Sequence, residues 1–150
     1  MKTIYFTENI QASPAKVHEV MLDQELYQEW TKPFSPTSNF SGSWEEGSKI
    51  FFTSQDQDGS LGGLVSRIET NIPGDIVIIR HMGIVSKEGE LYDGPIVDAW
   101  RNALEVYRFK AVGDGTEITC SVEIGDEEDA GMFDESWPAA LRKLKEICEN

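Results

Sequence analysis

Few side chains in this sequence are suited to moving a proton or attacking a substrate. The chain holds two histidines, His18 and His81, and two cysteines, Cys120 and Cys148. General-base or metal chemistry would therefore have to run through one of those histidines or through carboxylates. Motifs that build a nucleophile, a zinc site or a phosphate cradle are missing: there is no Gly-x-Ser-x-Gly, no His-Glu-x-x-His, no P-loop and no Cys-x-x-Cys. Gly113-x-Gly115 precedes a strand and lacks the third glycine and the helix that would hold a pyrophosphate, so it reads as a hairpin turn. His81 shares strand parity with Val77 and Ile79. A satisfied structural histidine is the favoured reading there, with a polar anchor inside a cavity as the functional one, because a metal site would need ligands that no spacing supplies. His18, beside Val17 and Val20, reads as a surface or helix-packing residue. Glu8 falls on the same face as Ile4, Phe6 and Ile10. In an unbroken register its carboxyl projects among apolar side chains, where desolvation raises its pKa and makes it an acid or base. A bulge or strand end would turn it to water instead, which is the favoured outcome. No catalytic residue, metal ligand or cofactor is assigned.

The elements that position these residues follow from periodicity. Residues 3–10 alternate as a strand. Ser13-Pro14 opens a short helix with Val17, Val20 and Met21 on one stripe, and Asp23 caps a second one carrying Leu26 and Trp30, ended by Pro33. From residue 37 to 124 the pattern becomes strands broken by glycine and aspartate: 49–54, 64–72, 75–85, 104–112 and 116–124, with turns at Asp58-Gly59, Pro73-Gly74 and Asp114-Gly115. Residues 86–103 are too long for a hairpin turn and rich in aromatic and acidic residues, including Tyr92 and Trp100, which reads as a lid. Phe133, Trp137, Leu141, Leu144 and Cys148 form one apolar stripe on a C-terminal helix. Pro138 either lies in that helix's first turn or marks a kink after a shorter helix. Asp126 to Asp129, Asp134 and Glu135 precede Arg142, Lys143 and Lys145, an order that complements the helix dipole. The order of strand, two short helices, a run of strands and a long helix predicts an α+β domain: a curved antiparallel sheet of six to seven strands packed on the last helix.

Composition excludes several classes of partner. The chain has 150 residues, 13 Lys and Arg against 27 Asp and Glu, and a formal net charge of −14. It reads as a single domain over residues 1–150, large enough to fold without metal or disulfides. The negative field repels phosphate backbones and anionic headgroups, so neither nucleic acid nor stable membrane association is expected. No signal peptide is read in residues 1–10, and no apolar run approaches the roughly 20 residues that cross a bilayer. The two well-separated cysteines fit buried reduced thiols, and a cytoplasmic location is expected.

Several segments carry a resemblance: Ile10-Gln11-Ala12-Ser13-Pro14 with Val17 and Trp30, the Gly42-to-Gly47 turn around Trp44, Gly113-Asp114-Gly115-Thr116 with Ile118, and Trp137-Pro138-Ala139-Ala140-Leu141 followed by Leu144-Lys145. Over nearly the whole chain the sequence resembles the START-related (SRPBCC) helix-grip superfamily, and within it proteins like the activator of the heat-shock-protein-ninety ATPase. The resemblance implies a sheet gripping the last helix around an apolar hollow, in a family that mixes co-chaperone domains, ligand carriers and enzymes such as cyclases. It implies a chaperone as a partner, although nothing here corresponds to the separate N-terminal chaperone-binding domain of the protein that names the family. With that hollow, Phe6, Trp30, Phe52, Trp100, Tyr107, Phe109, Trp137 and Leu141 become candidate ligand-binding residues, with Glu8 and His81 as polar candidates. The leading reading is binding of a small hydrophobic, lipid-like or polycyclic aromatic ligand. The alternatives are a cyclase, dehydratase or hydrolase using Glu8, His81 or Tyr107, or a stress-response protein-interaction domain using the outer sheet face or the 86–103 segment.

Overall fold

A computed structural model of the chain describes residues 1–128 and 130–150. Strand β1 (Lys2–Ile10) leads into α1 (Pro14–Leu22) and α2 (Gln24–Trp30). The Ser13 hydroxyl accepts the Lys16 amide at 3.2 Å and the Asp23 carboxylate accepts the Leu26 amide at 3.0 Å, so each helix starts on a side chain that satisfies a free backbone donor. Strands β2 (Asn39–Gly42), β3 (Lys49–Gln55), β4 (Leu61–Ile72), β5 (Ile76–Ser86) and β6 (Gly89–Leu91) follow. A one-turn helix α3 (Pro95–Asp98) then precedes β7 (Leu104–Val112) and β8 (Gly115–Ile124), and the chain ends in α4 (Ser136–Glu149).

The sheet is antiparallel, in the order β1-β8-β7-β5-β4-β3-β2, with β6 beside β5. Seven strands form the continuous path, the upper end of the six to seven expected, with β2 added to the strands read from the sequence, and the three-residue β6 is an eighth. Helix α4 packs on β1, α1 and α2, with Trp137, Ala140, Leu141, Leu144 and Cys148 buried. Ile10, Val17, Met21, Ile68, Val77 and Ile118 complete a core between sheet and helices.

Three local expectations need correction. The 86–103 segment is not a free lid: its first part pairs with β5 through Ser86 opposite Gly89. Its later part is pinned by Val97, fully buried, and by paired backbone bonds in which His81 donates to Ala103 and Asn102 donates to His81, both at 2.9 Å. The last hairpin turns at Gly113-Asp114, because Gly113 supplies the positive φ of 59° and Gly115 already faces Val112 in the ladder. Pro138 lies in the first turn of α4, where no amide is needed for a helical bond, behind a 3-10 turn at Ala130–Phe133. Neither acids in its first turn nor bases in its last complement the dipole of α4, and Asp129 lies outside the described residues. Lys145 instead donates to the Asn9 carbonyl at 2.8 Å and to Glu149 at 2.5 Å, tying α4 to the end of β1.

Both cysteines are free and buried. Burial pushes the Cys148 thiol up to about 11 and raises that of Cys120 well above its usual range. In the unfolded chain both ionise near roughly 8.5, so above that pH the native state retains protons that the unfolded state has lost. The stability this contributes is complete below the unfolded value and is lost as pH climbs through the folded ones. The thermal midpoint is therefore expected to fall between about pH 8.5 and 11. A midpoint flat across that window would contradict the burial of these thiols.

Candidate functional site

A pocket of about 360 Å³ lies between the inner face of the sheet and the helical layer. Its aromatic walls come from Tyr27 and Trp30 on α2, Phe34 after it, Phe52 on β3, Trp100 after α3, Tyr107 on β7, Phe133 in the 3-10 turn before α4, and Trp137 on α4. The rings brace one another: Phe34 meets Trp137 edge-on at 4.7 Å between centroids, Tyr27 meets Trp30 at 5.4 Å, and Tyr107 lies 6.2 Å from Trp137. Among the lining residues are three carboxylates, Glu105, Glu123 and Glu128, and neither lysine nor arginine.

One polar chain runs along the wall. His81 Nδ1 lies 2.8 Å from the Ser66 hydroxyl, and its Nε2 lies 3.1 Å from Glu105 Oε1. The Tyr107 hydroxyl donates to Glu105 Oε2. Serine, histidine and carboxylate in a row suggest a nucleophilic triad, but the geometry argues otherwise. Ser66 is buried behind His81 and does not line the pocket. With Ser66 donating to Nδ1 and Nε2–H donating to the carboxylate, both ring nitrogens are occupied. The β4/β5 ladder steps from Val65 opposite Gly83 to Ser66 opposite His81. That bulge leaves Met82 unpaired and resets the strand after His81, a common device beside functional sites. Alternating burial along β5 shows which face turns inward: Val77, Ile79 and His81 are buried.

Burial and the nearby Glu105 charge raise the Tyr107 and Tyr27 hydroxyls far above the ordinary phenol range, burial being the larger cause, so both stay protonated. The Tyr107 proton is engaged with Glu105. The Tyr27 hydroxyl has no hydrogen-bond partner among the described residues, and the side chain that carries it is 9% exposed and lines the pocket.

Of the residues named from the sequence, Trp30, Phe52, His81, Trp100, Tyr107 and Trp137 line the pocket. Phe6, Glu8, Phe109 and Leu141 do not. Phe6 stands behind the pocket, stacked on Trp137 at 5.9 Å. Phe109 is too far along β7 and packs against His18, at 5.7 Å. Leu141 is a turn beyond Trp137 and is core. Glu8 keeps the inward parity expected of it but is half-buried near the end of β1, where its carboxylate accepts the Asn9 amide at 3.0 Å. His18 bonds Asn71 Oδ1 at 2.7 Å, a packing role. Sequence reasoning missed Tyr27, Phe34, Glu105, Glu123 and Glu128. Glu105 was detectable, since it shares the face of Tyr107 two residues on, and Tyr27 sits at helical spacing from Trp30 and Thr31. Phe34, in a loop, left no periodic signal.

Comparison with known proteins fits this architecture. The dimeric Aha1 protein of Colwellia psychrerythraea, known from a solution structure, superposes with a TM-score of 0.72 at 20% identity, covering 99% of this chain and 97% of that one. A crystallised protein of Chromobacterium violaceum gives the same TM-score of 0.72 at 16% identity over 99% of this chain and 97% of its own. DynU16, from the dynemicin biosynthetic locus, matches at TM-score 0.70 and 12% identity over 100% of this chain but 48% of its own length. At such identities the likeness is one of fold. No curated protein matches the sequence. Residues 11–149 match the family described as "Activator of Hsp90 ATPase homolog 1-like protein", and with nearly the whole chain covered, this protein belongs to that family.

Proposed function

We propose that this domain binds a small hydrophobic molecule, lipid-like or polycyclic aromatic, in the pocket between its sheet and helices. The observation that carries this reading is the pocket's wall: three of the chain's four tryptophans, with Phe34, Phe52 and two tyrosines, surround about 360 Å³ of space. A core built only for stability would close around such side chains, since interiors pack to crystal-like density. Ligand pockets are mostly apolar with a few placed polar groups, as here. Two free buried thiols support a reducing, cytoplasmic setting. Among the described residues no helix is long and apolar enough to cross a membrane. Family membership also brings a chaperone-interaction reading, but the large exposed apolar side chains are spread over β1, β4, β6, α3 and β7, as with Tyr5, Ile72, Leu91, Ile96 and Val112.

Native mass spectrometry of the freshly purified protein, compared with its denatured mass and followed by a panel of lipids and polycyclic aromatics, tests the reading. A retained small molecule, or a micromolar binder that quenches tryptophan fluorescence, is the expected result. A clean unliganded mass with no binder across the panel would overturn it.

An enzyme of cyclase, dehydratase or hydrolase type is the second reading, favoured by the joining of His81 and Tyr107 through one carboxylate. Tyr107→Phe separates the two. It keeps the ring and removes the proton given to Glu105, which should cost about 1–3 kcal/mol of stability. On the binding reading ligand affinity survives. An activity abolished with affinity intact would favour the enzyme.

A further inference from the structure

Resting on the binding reading, we infer that the pocket selects a hydrophobic ligand bearing a positively charged nitrogen, a protonated amine or its equivalent, in preference to neutral or anionic molecules of the same shape. Every formal charge lining the pocket is negative: Glu105, Glu123 and Glu128 contribute carboxylates and no lysine or arginine answers them. Each carboxylate is held by protein donors yet keeps acceptor capacity. Glu123 takes the Leu104 amide at 2.7 Å and Glu128 the Gly125 amide at 3.1 Å, each on one oxygen, and the other oxygen of each has no partner among the described residues. Glu105 takes His81 and Tyr107 on separate oxygens, and each carboxylate oxygen has two lone pairs.

An independent observation points to an absent polar partner. The Tyr27 side chain is more than nine-tenths buried and lines the same pocket, yet its hydroxyl makes no hydrogen bond among the described residues and is not sealed in the core, so it is open to a polar group inside the pocket. Its oxygen can accept an ammonium proton. Trp30, Trp100 and Trp137 in the lining add aromatic rings of the kind that hold organic cations. An anionic ligand would meet three carboxylates, none paired with lysine or arginine among the pocket's lining residues, in a chain whose net charge is already −14.

The test uses three probes of one shape: 1-naphthylmethylamine, protonated at neutral pH, 1-naphthylmethanol, and 1-naphthoic acid, ionised at neutral pH. Each is titrated into the full chain while tryptophan fluorescence is followed. The amine is expected to bind at least about tenfold more tightly than the alcohol, as one or more charge-assisted hydrogen bonds would give, and the acid not to bind measurably. Glu105→Gln should weaken the amine about tenfold more than it weakens the alcohol. If that variant does not fold by circular dichroism, Glu128→Gln, whose carboxylate bonds only the Gly125 amide among the described residues, carries the same expectation. An alcohol or acid that binds as tightly as the amine would overturn the charge preference and leave hydrophobic binding standing. Failure of all three to bind would overturn both.

Discussion

Replacing Leu141 with aspartate is expected to abolish cooperative thermal unfolding. Leu141 is 1% exposed, on the face of α4 that packs on β1, α1 and α2. Losing its apolar burial costs about 2–5 kcal/mol. The new carboxylate would lie in the same place without a partner, adding several kcal/mol more or driving the helix off the sheet. Against a total stability of about 5–15 kcal/mol for a domain of this kind, the sum leaves little or no folded protein. Leu141→Ala should remain folded, with about 3 kcal/mol lost. Melting followed by circular dichroism checks both. An aspartate variant that melts cooperatively at the wild-type midpoint would remove α4 from the core, and with it the helix that carries Trp137 into the pocket.

Two adjacent glycines on β4 should respond very differently to alanine. A Cβ at Gly63 would stand 1.9 Å from the Phe52 carbonyl oxygen and 2.8 Å from the Thr53 Cα, both backbone atoms of β3. Gly63 pairs with Thr53 on one side and Val85 on the other, so the methyl can be accommodated only by parting β3 from β4. Gly63→Ala is expected to cost about 3 kcal/mol, the upper end for overpacking a well-packed site. It should also weaken ligand binding, because Phe52, Thr53 and Leu64 at the displaced seam line the pocket. At Gly62 the nearest atom to a Cβ is the Val85 carbonyl oxygen at 3.6 Å, an ordinary contact, and Gly62→Ala should be neutral or slightly stabilising through the unfolded chain. Equal midpoints for the two variants, measured by denaturant titration, would contradict the β3/β4 register.

The fold was legible because each local signal agreed with the global one. Ser13-Pro14 and Asp23 fixed both helix starts, and strict alternation in β8 fixed its inward face of Ile118, Cys120, Val122 and Ile124. What alternation could not supply was β6, the three exposed residues Gly89, Glu90 and Leu91, whose pairing depends on a neighbour distant in space rather than on their own pattern. The site was half legible for a related reason. Aromatic residues at regular spacing announce an inward face, but pocket and core share that signature, so Phe109 and Leu141 could not be told from Tyr107 and Trp137 until the depth of packing was known. The acids were hidden by the opposite bias. Glu105 and Glu123 sit on strands where an acidic residue is ordinarily read as solvated, and only the bonds from His81, Tyr107 and Leu104 explain why they are tolerated beside the pocket.

The most direct test of the central claim is an amide and indole nuclear magnetic resonance titration with 1-naphthylmethanol, a neutral probe. Four indole N–H signals are available, from Trp30, Trp44, Trp100 and Trp137. Trp44 does not line the pocket, whereas the other three do. The account predicts saturable shifts at Trp30, Trp100 and Trp137, with the Trp44 indole nearly still. Shifts confined to exposed positions such as Tyr5 and Ile96, with the three pocket indoles unmoved, would contradict it.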